Sequence, residues 1–388
     1  MLFNGNESTP KRWFSLEYQW VYLNYTWTSA HHYRWALESR CYIPENNAPV
    51  GFEVYENAVF VSVPRFRPGV PATLTVFDRN TASKLNPLLS PYPDWDSNDL
   101  SSCRNLQSVQ SMKVDTRGVM WVIDGVRINN LTRCPPKLVL LDLRTGGELV
   151  HSYEFPSELS SAQGGFLNDL VIDERVGGSF AYITENSADP GVIVYSRKEN
   201  RSWKLRDRSM LAEPRAVGFY VDGLLFNNSV PVDGIALSPK DHNGEKTLFY
   251  VALSSFTLYS LPTSVIRQEQ SVFDGSWKQW VRPTATIPSQ VDGIIMDNRA
   301  NLYLTLLPLY GVARWDFRKP SRGFQIIQQD DTTTIWPDGF AFDQSGFLYV
   351  ISNQVLRYID SRQEVPVNSD IKFRVLRTFT GTNSYLYD

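Results

Sequence analysis

The sequence is poor in the residues on which the commonest catalytic and metal sites depend. Its 388 residues include only four histidines and three cysteines. No cysteine pair has the close spacing of zinc ligands, and no Gly-x-Ser-x-Gly turn occurs. The histidines, His31, His32, His151 and His242, all lie outside the openings of the repeats described below. A zinc centre and a histidine-assisted serine or cysteine nucleophile are therefore disfavoured.

Long apolar stretches and basic runs are also missing. No apolar segment approaches the length that crosses a bilayer. The net charge is −3, with both signs mixed along the chain, and no polybasic run favours nucleic acid or an anionic membrane. We therefore expect neither nucleic acid nor a membrane as a partner.

The N-terminal segment has no signal-peptide core, which fits a cytoplasmic start or a mature chain whose signal has been removed. Sequons for N-glycosylation favour the second interpretation, because such sites are used in secreted proteins. We therefore expect a secreted, extracellular glycoprotein. The sequons begin at Asn6, Asn24, Asn130, Asn200 and Asn227.

The chain does contain a repeated unit rich in β-forming residues. Its clearest copy, residues 291–316, opens with Asp292-Gly293 and continues with three short apolar runs separated by turn residues. Diverged copies open near residues 52, 108, 168, 233, 292 and 338, a spacing of roughly 45–65 residues. Strand-rich repeats of this period are typical of β-propellers, with one four-stranded blade per copy, whereas solenoid repeats are usually shorter.

We therefore predict an all-β fold, a six-bladed β-propeller closed as a single domain. The propeller would span residues 15–380, between an N-terminal extension (1–14) and a C-terminal tail (381–388). A closed propeller leaves no open strand edge. Residues 15–25 alternate like a strand, and we predict that they pair in the same blade as the C-terminal region.

Four ordered segments carry a resemblance to a known family. They are residues 39–51 (SRCYIPENNAPVG), 61–74 (VSVPRFRPGVPATL), 89–95 (LSPYPDW) and 134–138 (CPPKL). Together they resemble the major royal jelly protein/yellow family of secreted arthropod-type propellers, over roughly residues 15–380. The family usually has a cysteine where this chain has Arg117, so its disulfide pattern does not transfer directly.

The three cysteines allow two interpretations. All three are buried thiols, or Cys103 and Cys134 form a disulfide within one blade and leave Cys41 free. We predict the Cys103–Cys134 bridge.

The repeat geometry predicts a polar ring at one mouth of the central channel. Each opening step starts an innermost strand, and the next strand returns antiparallel to the same face. Aromatic residues nearby would provide apolar walls, and the family resemblance adds Gln290 and Thr305 as positions that contact a ligand. The predicted ligand-binding residues are Asn168, Asp233, Gln290, Asp292, Thr305, Asp338, Asn353, Phe256, Tyr310 and Trp336.

An acidic pocket with aromatic walls suits a small cationic aromatic molecule. The resemblance implies the same, because salivary members of the family bind biogenic amines such as serotonin at the channel mouth. We predict binding of a serotonin- or catecholamine-like amine, or a related catechol or indole. One alternative is a dopachrome-isomerase-like enzyme of melanin formation, whose proton shuttle a carboxylate could supply. Another is a structural or nutritive glycoprotein without a ligand.

Two further interpretations concern the acidic residues themselves. An Asp-Gly step at a strand start is often only turn chemistry. Glu53, Asn168, Asp233 and Asp338 also resemble the ligands of metal-centred propeller lactonases, and such hard oxygen atoms suit Ca²⁺. We predict no cofactor, with Ca²⁺ at these four residues as the alternative.

Overall fold

The computed structural model shows six four-stranded antiparallel sheets arranged around a central channel. The structure describes residues 13–360 and 362–387. The innermost strand of each sheet contacts the innermost strands of its two neighbours, so the ring closes. The predicted six-bladed β-propeller is confirmed.

The strands are numbered along the chain. In the first half they are β1 (Ser15–Trp20), β2 (Phe52–Tyr55), β3 (Ala58–Ser62), β4 (Leu74–Asp78), β5 (Ser90–Pro91), β6 (Val109–Val114), β7 (Val119–Asp124), β8 (Lys137–Asp142), β9 (Glu148–Glu154), β10 (Leu167–Asp173), β11 (Phe180–Glu185), β12 (Gly191–Ser196) and β13 (Arg201–Leu205). In the second half they are β14 (Phe219–Val221), β15 (Leu224–Phe226), β16 (Val232–Leu237), β17 (Thr247–Ala252), β18 (Thr257–Pro262), β19 (Arg282–Thr286), β20 (Ile294–Met296), β21 (Asn301–Leu306), β22 (Gly311–Asp316), β23 (Gln325–Gln329), β24 (Trp336–Phe342), β25 (Phe347–Asn353) and β26 (Phe373–Phe379).

The helices are short and peripheral. They are α1 (Ala30–Glu38), α2 (Thr263–Ile266), α3 (Glu269–Phe273) and α4 (Leu356–Ile359). In the described part of the chain, no helix has the length and apolar character needed to cross a membrane.

Blades 1 to 3 consist of β2–β5, β6–β9 and β10–β13, and blades 4 and 5 of β16–β19 and β20–β23. Blade 6 contains β24, β25 and β26 with β1 at its outer edge. Strand β1 pairs antiparallel with β26, from Ser15 opposite Arg377 to Trp20 opposite Phe373. The N-terminal strand therefore closes the last blade beside the C-terminal strand, as predicted, which covers an edge that would otherwise be open.

Burial falls from the middle of a blade to its outer edge. All six residues of β12 (GVIVYS) are buried, because neighbouring blades cover both faces of the sheet. At the outer edge, β9 (ELVHSYE) has no buried residue and carries charged side chains. The sequence thus places continuous apolar runs inside each blade and charged residues on its exposed edge.

In blades 3, 4 and 6 the opening steps of the repeats lie in β-bulges of the innermost strands. The pairing register shifts between Leu167 and Leu170 in blade 3, between Val232 and Ile235 in blade 4, and between Pro337 and Phe340 in blade 6. A bulge re-aims a side chain and is common beside functional sites. In these three blades it leaves Asn168, Asp233 and Asp338 lining the central channel.

The glycines after Asp233 and Asp292 are required by contacts between blades. A Cβ atom on Gly234 would lie 2.4 Å from the carbonyl oxygen of Asp292, and one on Gly293 would lie 2.1 Å from that of Asp338. Only glycine allows the backbones to approach so closely. The repeated Asp-Gly step therefore reflects bulge geometry and blade packing rather than an isolated turn.

Cys103 and Cys134 form a disulfide within blade 2, and Cys41 is a free, exposed cysteine. The predicted bridge is confirmed.

The sequons differ in accessibility. Asn130, Asn200 and Asn227 are exposed, whereas Asn24 is half-buried and its Oδ1 accepts hydrogen bonds from Tyr25 N and Trp27 Nε1. Asn6 lies outside the described residues. Glycosylation at these positions stays a prediction.

Candidate functional site

Four aspartates line one small cavity in the central channel, Asp169 and the three that follow. We call this cavity the carboxylate chamber and define it by Gln110, Asn168, Asp233, Asp292 and Asp338, which line it. Its volume is about 30 Å³, which leaves room for about two water molecules. The chamber therefore accommodates a small polar group but not a whole aromatic amine.

Hydrogen bonds connect two of the aspartates directly. Asp233 accepts from Asn168 Nδ2 at 2.5 Å and from Asn186 Nδ2 at 3.1 Å, and a side-chain hydrogen bond joins it to Asp292. Asp292 also accepts from Trp336 Nε1 at 2.6 Å. A hydrogen bond between two carboxyl groups requires a proton on one of them, so Asp233 and Asp292 form an acid–carboxylate pair.

The third aspartate is positioned by a buried amide. Asn353 Nδ2 donates to Asp338 Oδ2 at 2.8 Å and to Pro49 O at 2.9 Å, and its Oδ1 accepts from Val355 N. Asn353 is fully buried. Its role in the structure is to orient Asp338, since every polar atom of its side chain has a protein partner.

The chamber raises the pKa of Asp169 as well as those of Asp233, Asp292 and Asp338. Burial is the largest cause for each, because it disfavours the charged form. It raises the pKa of Asp292 to about 6, while the hydrogen bonds from Trp336 and Asp233 oppose the rise. The pKa values of Asp233 and Asp338 lie well above their usual range, through burial and then the nearby charge of Asp292. Among the described residues, no lysine or arginine forms an ion pair with Asp233, Asp292 or Asp338.

Gln110 leaves an unused acceptor in the same chamber. Its Nε2 donates to Asn168 Oδ1 at 3.1 Å, but its Oε1 has no hydrogen-bond partner among the described residues, although the side chain is 93% buried. A buried polar atom without a partner costs about 1–3 kcal/mol. The Gln110 oxygen and the three carboxyl groups together make a chamber dominated by acceptors, which suits a guest that donates hydrogen bonds.

Thr305 acts within blade 5 rather than in the chamber. It is fully buried, and its Oγ1 accepts from Asp292 N at 3.0 Å. Thr184 accepts from Asp169 N in the same way in blade 3, and its Oγ1 also donates to Asp233 O in blade 4 at 2.7 Å. These hydroxyl groups hold the opening steps in place, so the structure gives Thr305 a positioning role.

A hairpin covers the mouth above the chamber. We call residues 213–226 the cap; it contains strands β14 and β15, joined by Asp222 and Gly223, which both have positive φ. Phe219 stacks against Trp336 with ring centroids 6.3 Å apart, and Phe226 meets the same ring edge-on at 5.7 Å. Because Trp336 also donates to Asp292, the cap and the carboxylate chamber share one side chain.

Besides Trp336, three of the predicted mouth residues contact the cap. Gln290 Nε2 donates to Ala216 O at 2.8 Å, and Tyr310 OH accepts from Asp222 N at 3.1 Å. Phe256 lies beneath the guanidinium of Arg215, 5.6 Å from its ring centroid. The mouth is thus closed by an aromatic cap, whereas the sequence led us to expect an open pocket with these residues as its walls.

The opposite half of the channel holds Glu53. Its Oε2 lies 3.5 Å from Lys113 Nζ, and burial raises its pKa to about 7 despite the lysine. This second cavity, of about 40 Å³, is lined by the C-terminal residues Tyr385 and Tyr387. Lys113 contacts both cavities and lies between the two halves of the channel.

The alternative calcium set is therefore divided. Glu53 lines the second cavity, while Asn168, Asp233 and Asp338 line the carboxylate chamber. Asn168 Oδ1, the atom that would bind a hard cation, accepts from Gln110. Within residues 13–360 and 362–387, no three His, Cys, Asp or Glu side chains are arranged to hold a metal ion.

Sequence reasoning missed Gln110 and the cap. Gln110 lies beside the register shift of blade 2, as Asn168 does in blade 3, so its position in the repeat could have identified it. The cap carries a recognisable hairpin signal, Asp222-Gly223 between apolar residues.

Comparisons with known proteins agree with this architecture. The sequence model of the family "Major royal jelly protein" matches residues 107–381. Protein yellow of Drosophila yakuba is 30% identical over 371 residues, covering 92% of this chain and 67% of the relative. Protein yellow of Drosophila pseudoobscura pseudoobscura is 30% identical over 374 residues, covering 92% and 65%. The chain thus spans about two thirds of the length of these relatives.

Solved structures show the same fold at low sequence identity. Regucalcin from Agrobacterium tumefaciens, described as a calcium-binding protein, aligns with a TM-score of 0.50 at 14% identity, over 87% of this chain and 93% of that one. A putative gluconolactonase also has a TM-score of 0.50, at 10% identity, over 87% and 90%. These likenesses concern the propeller alone. The family match and the relatives at 30% identity are specific, and the chain belongs to the major royal jelly protein family.

Proposed function

We propose that this chain is a secreted propeller that binds a small aromatic amine, of the serotonin or catecholamine kind, at the capped end of its channel. The observation that carries the proposal is the carboxylate chamber, where Asp233, Asp292, Asp338 and the unpartnered Oε1 of Gln110 face one cavity. Lys113 also lines this cavity, but its Nζ donates to Glu53 and to Phe340 O. A primary ammonium group supplies three hydrogen-bond donors and one positive charge, which complement the carboxyl groups that have no ion-pair partner among the described residues.

The chamber volume determines how such a ligand would lie. About 30 Å³ accommodates an ammonium group but not an aromatic ring. The ring would therefore lie among Phe219, Phe226 and Trp336, and the cap would have to move. Tyr310 and Gln290 would act through the cap, because each holds it by one hydrogen bond.

Secretion is part of the proposal. The Cys103–Cys134 disulfide is typical of an oxidising compartment, and three of the sequons have exposed asparagines.

A second candidate function is isomerisation of a dopachrome-like substrate. The observation that favours it is Asp292, whose pKa of about 6 allows it to exchange a proton near neutral pH. Its hydrogen-bonded partner Asp233 would act as the reservoir for that proton.

One experiment separates the two functions. Serotonin, dopamine and dopachrome are titrated into the purified chain while heat and absorbance are recorded together. Saturable heat with serotonin or dopamine, without loss of dopachrome absorbance, supports amine binding. Loss of absorbance that disappears in the Asp292→Asn variant supports the isomerase. Neither signal would favour the third alternative, a glycoprotein without a ligand at this site.

The control is the same Asp→Asn substitution at an aspartate outside the carboxylate chamber. Asp274 lies in an exposed turn between α3 and the following loop, so Asp274→Asn should leave both signals unchanged.

A further inference from the structure

A large cavity outside the channel lies against the N-terminal segment, between helix α1 and the loops around residues 65–71 and 95–100. Its volume is about 550 Å³, within the roughly 300–1,000 Å³ that is usual for small-molecule sites. We call it the aromatic cleft and define it by Trp27, His32, Trp35, Cys41 and Trp95. It has room for a whole aromatic ligand, which the carboxylate chamber does not.

Ring systems form one wall of the aromatic cleft. Trp27 and Trp95 stack with centroids 5.1 Å apart and planes 28° apart, and His32 meets both rings edge-on at 5.1 and 5.0 Å. Trp35 lies beside His32 and is 50% exposed. The rings of Trp27, Trp95 and His32 hold one another in place. The exposed face of Trp35 is available for stacking against a ligand.

The polar groups beneath the wall already have partners. Arg65 donates to the carbonyl oxygens of Val70, Leu106, Gln107, Pro71 and Asn98. Asn98 uses both its amide nitrogen and its carbonyl oxygen in hydrogen bonds to backbone groups. His32 Nδ1 bonds to Thr28 Oγ1. A sugar, which needs many hydrogen bonds from its site, would find few here.

The charge at the rim restricts the ligand further. Asp96 and Asp99 are exposed beside the rings, whereas the guanidinium groups of Arg65 and Arg67 point at backbone carbonyls. Hydrogen bonds from Ser101 hold the pKa of Asp99 below its usual range, so it is ionised at neutral pH. An anionic ligand would meet these carboxylates, while a neutral or cationic one would not be repelled.

We infer that the aromatic cleft is a second binding site, for a planar aromatic molecule that is neutral or positively charged and that stacks against Trp35 and Trp95. The site is separate from the carboxylate chamber and does not depend on the amine binding proposed above. Stacking supplies most of the affinity, and Asp96 and Asp99 select against anions.

Cys41 provides a reporter inside the site. It lines the aromatic cleft and is the only cysteine outside the disulfide. The rate at which iodoacetamide alkylates Cys41 is measured in the folded chain with increasing indole, tryptamine, indole-3-acetate or glucose. We expect saturable protection by indole and tryptamine, at least fivefold weaker protection by indole-3-acetate, and none by glucose.

Trp35→Ala tests the stacking surface, with Trp280→Ala as the matched control at an exposed tryptophan elsewhere. Trp35→Ala should weaken protection by tryptamine about tenfold, Trp35→Phe should restore most of it, and Trp280→Ala should match the wild type. Because Trp35 is half exposed, the melting temperature should change little. Protection by neither indole nor tryptamine, or equal protection in the Trp35→Ala variant, would overturn the inference. Equal protection by indole-3-acetate would overturn the selection against anions.

Discussion

Asp124 and Asp292 are two carboxylates in the same propeller with opposite electrostatics. Asp124, fully buried in blade 2, pairs with Arg127 Nη1 at 3.1 Å and Lys137 Nζ at 2.7 Å. Burial alone would raise its pKa, but the two cations and the backbone donor Ser108 N hold it at about 2. Asp292 lies in the carboxylate chamber without a cationic partner among the described residues, and burial raises its pKa to about 6.

The difference in pKa distinguishes a carboxylate that stabilises the fold from one that is a candidate for binding a ligand. A buried charge with ion-pair partners contributes to the fold, because breaking the pair leaves an uncompensated charge. A carboxyl group that burial keeps partly protonated opposes folding at neutral pH, and such groups concentrate at functional sites. The chamber thus carries a cost in stability that a cationic ligand would offset.

The largest expected effect concerns Asp124, the carboxylate that is paired with two cations. Asp124→Asn leaves Arg127 and Lys137 buried without their counter-charge, so we expect a loss of about 3–5 kcal/mol in the free energy of unfolding. Urea denaturation of the oxidised protein measures it. A loss below about 1 kcal/mol would mean that the pair is not what stabilises this region.

The disulfide strengthens the same region. Lys137 Nζ donates to Cys103 O at 3.0 Å, and Arg127 Nε donates to Cys134 O at 2.6 Å, so the bridge and the ion pairs share one cluster. For the 31-residue separation, loss of the bridge should cost roughly 3–4 kcal/mol in the chain-entropy model. Denaturation of a Cys103→Ser/Cys134→Ser variant measures the loss. Its amine affinity should stay within twofold of the wild type, since the bridge lies outside the carboxylate chamber; a larger loss would show that the two regions are coupled.

A substitution in the carboxylate chamber should change the stability of the chain in the opposite direction. In the folded chain the pKa of Asp292 is above its unfolded value, so the folded state binds more protons and stability falls as pH rises from about 4 through 6. Asp292→Asn removes this term and should stabilise the chain by roughly 1–3 kcal/mol at pH 7.5.

The same comparison of wild type and variant at low pH is the control for this prediction. Near pH 4 the wild-type carboxyl group is mostly protonated, so the two proteins should differ little in stability there. Destabilisation by Asp292→Asn at pH 7.5 would contradict the assignment of a raised pKa.

The sequence predicted the arrangement of the blades more accurately than the structure of the candidate site. The repeated opening steps predicted the number of blades, and the alternation in residues 15–25 predicted the pairing of β1 with β26. Both features follow from local strand patterns. The cap was not predicted, because its effect depends on a hairpin between blades 3 and 4 that folds across the channel onto Trp336.

The roles of individual site residues were also beyond sequence reasoning. Thr305 belongs to the predicted ring, yet the hydrogen bond that its Oγ1 accepts from Asp292 N shows that it holds the opening step of blade 5. The sequence analysis also grouped Glu53 with Asn168 in the alternative calcium set, although the two line different cavities. Such differences arise from side-chain direction and depth in the channel, which a strand pattern does not encode.

The smallest expected effect concerns the cap. Tyr310→Phe removes the hydroxyl that accepts from Asp222 N at 3.1 Å, a bond worth about 0.5–1.5 kcal/mol. If the cap opens to admit the ring, easier opening should raise the apparent affinity for serotonin about 2- to 10-fold. Calorimetry measures the change. A fall in affinity would place the Tyr310 hydroxyl in direct contact with the ligand instead.

The proton balance of amine binding tests the central claim most directly, because the claim is that partly protonated carboxyl groups receive the ammonium. Serotonin is titrated by calorimetry at pH 6 and pH 8, each in two buffers with different heats of ionisation, using the wild type and Asp292→Asn. The account predicts release of a substantial fraction of a proton at pH 6, less release at pH 8, and affinity that falls as pH drops below about 6. Asp292→Asn should lower the affinity at pH 8 roughly 10- to 100-fold. Binding at pH 6 without proton release, and with equal affinity in the variant, would contradict it.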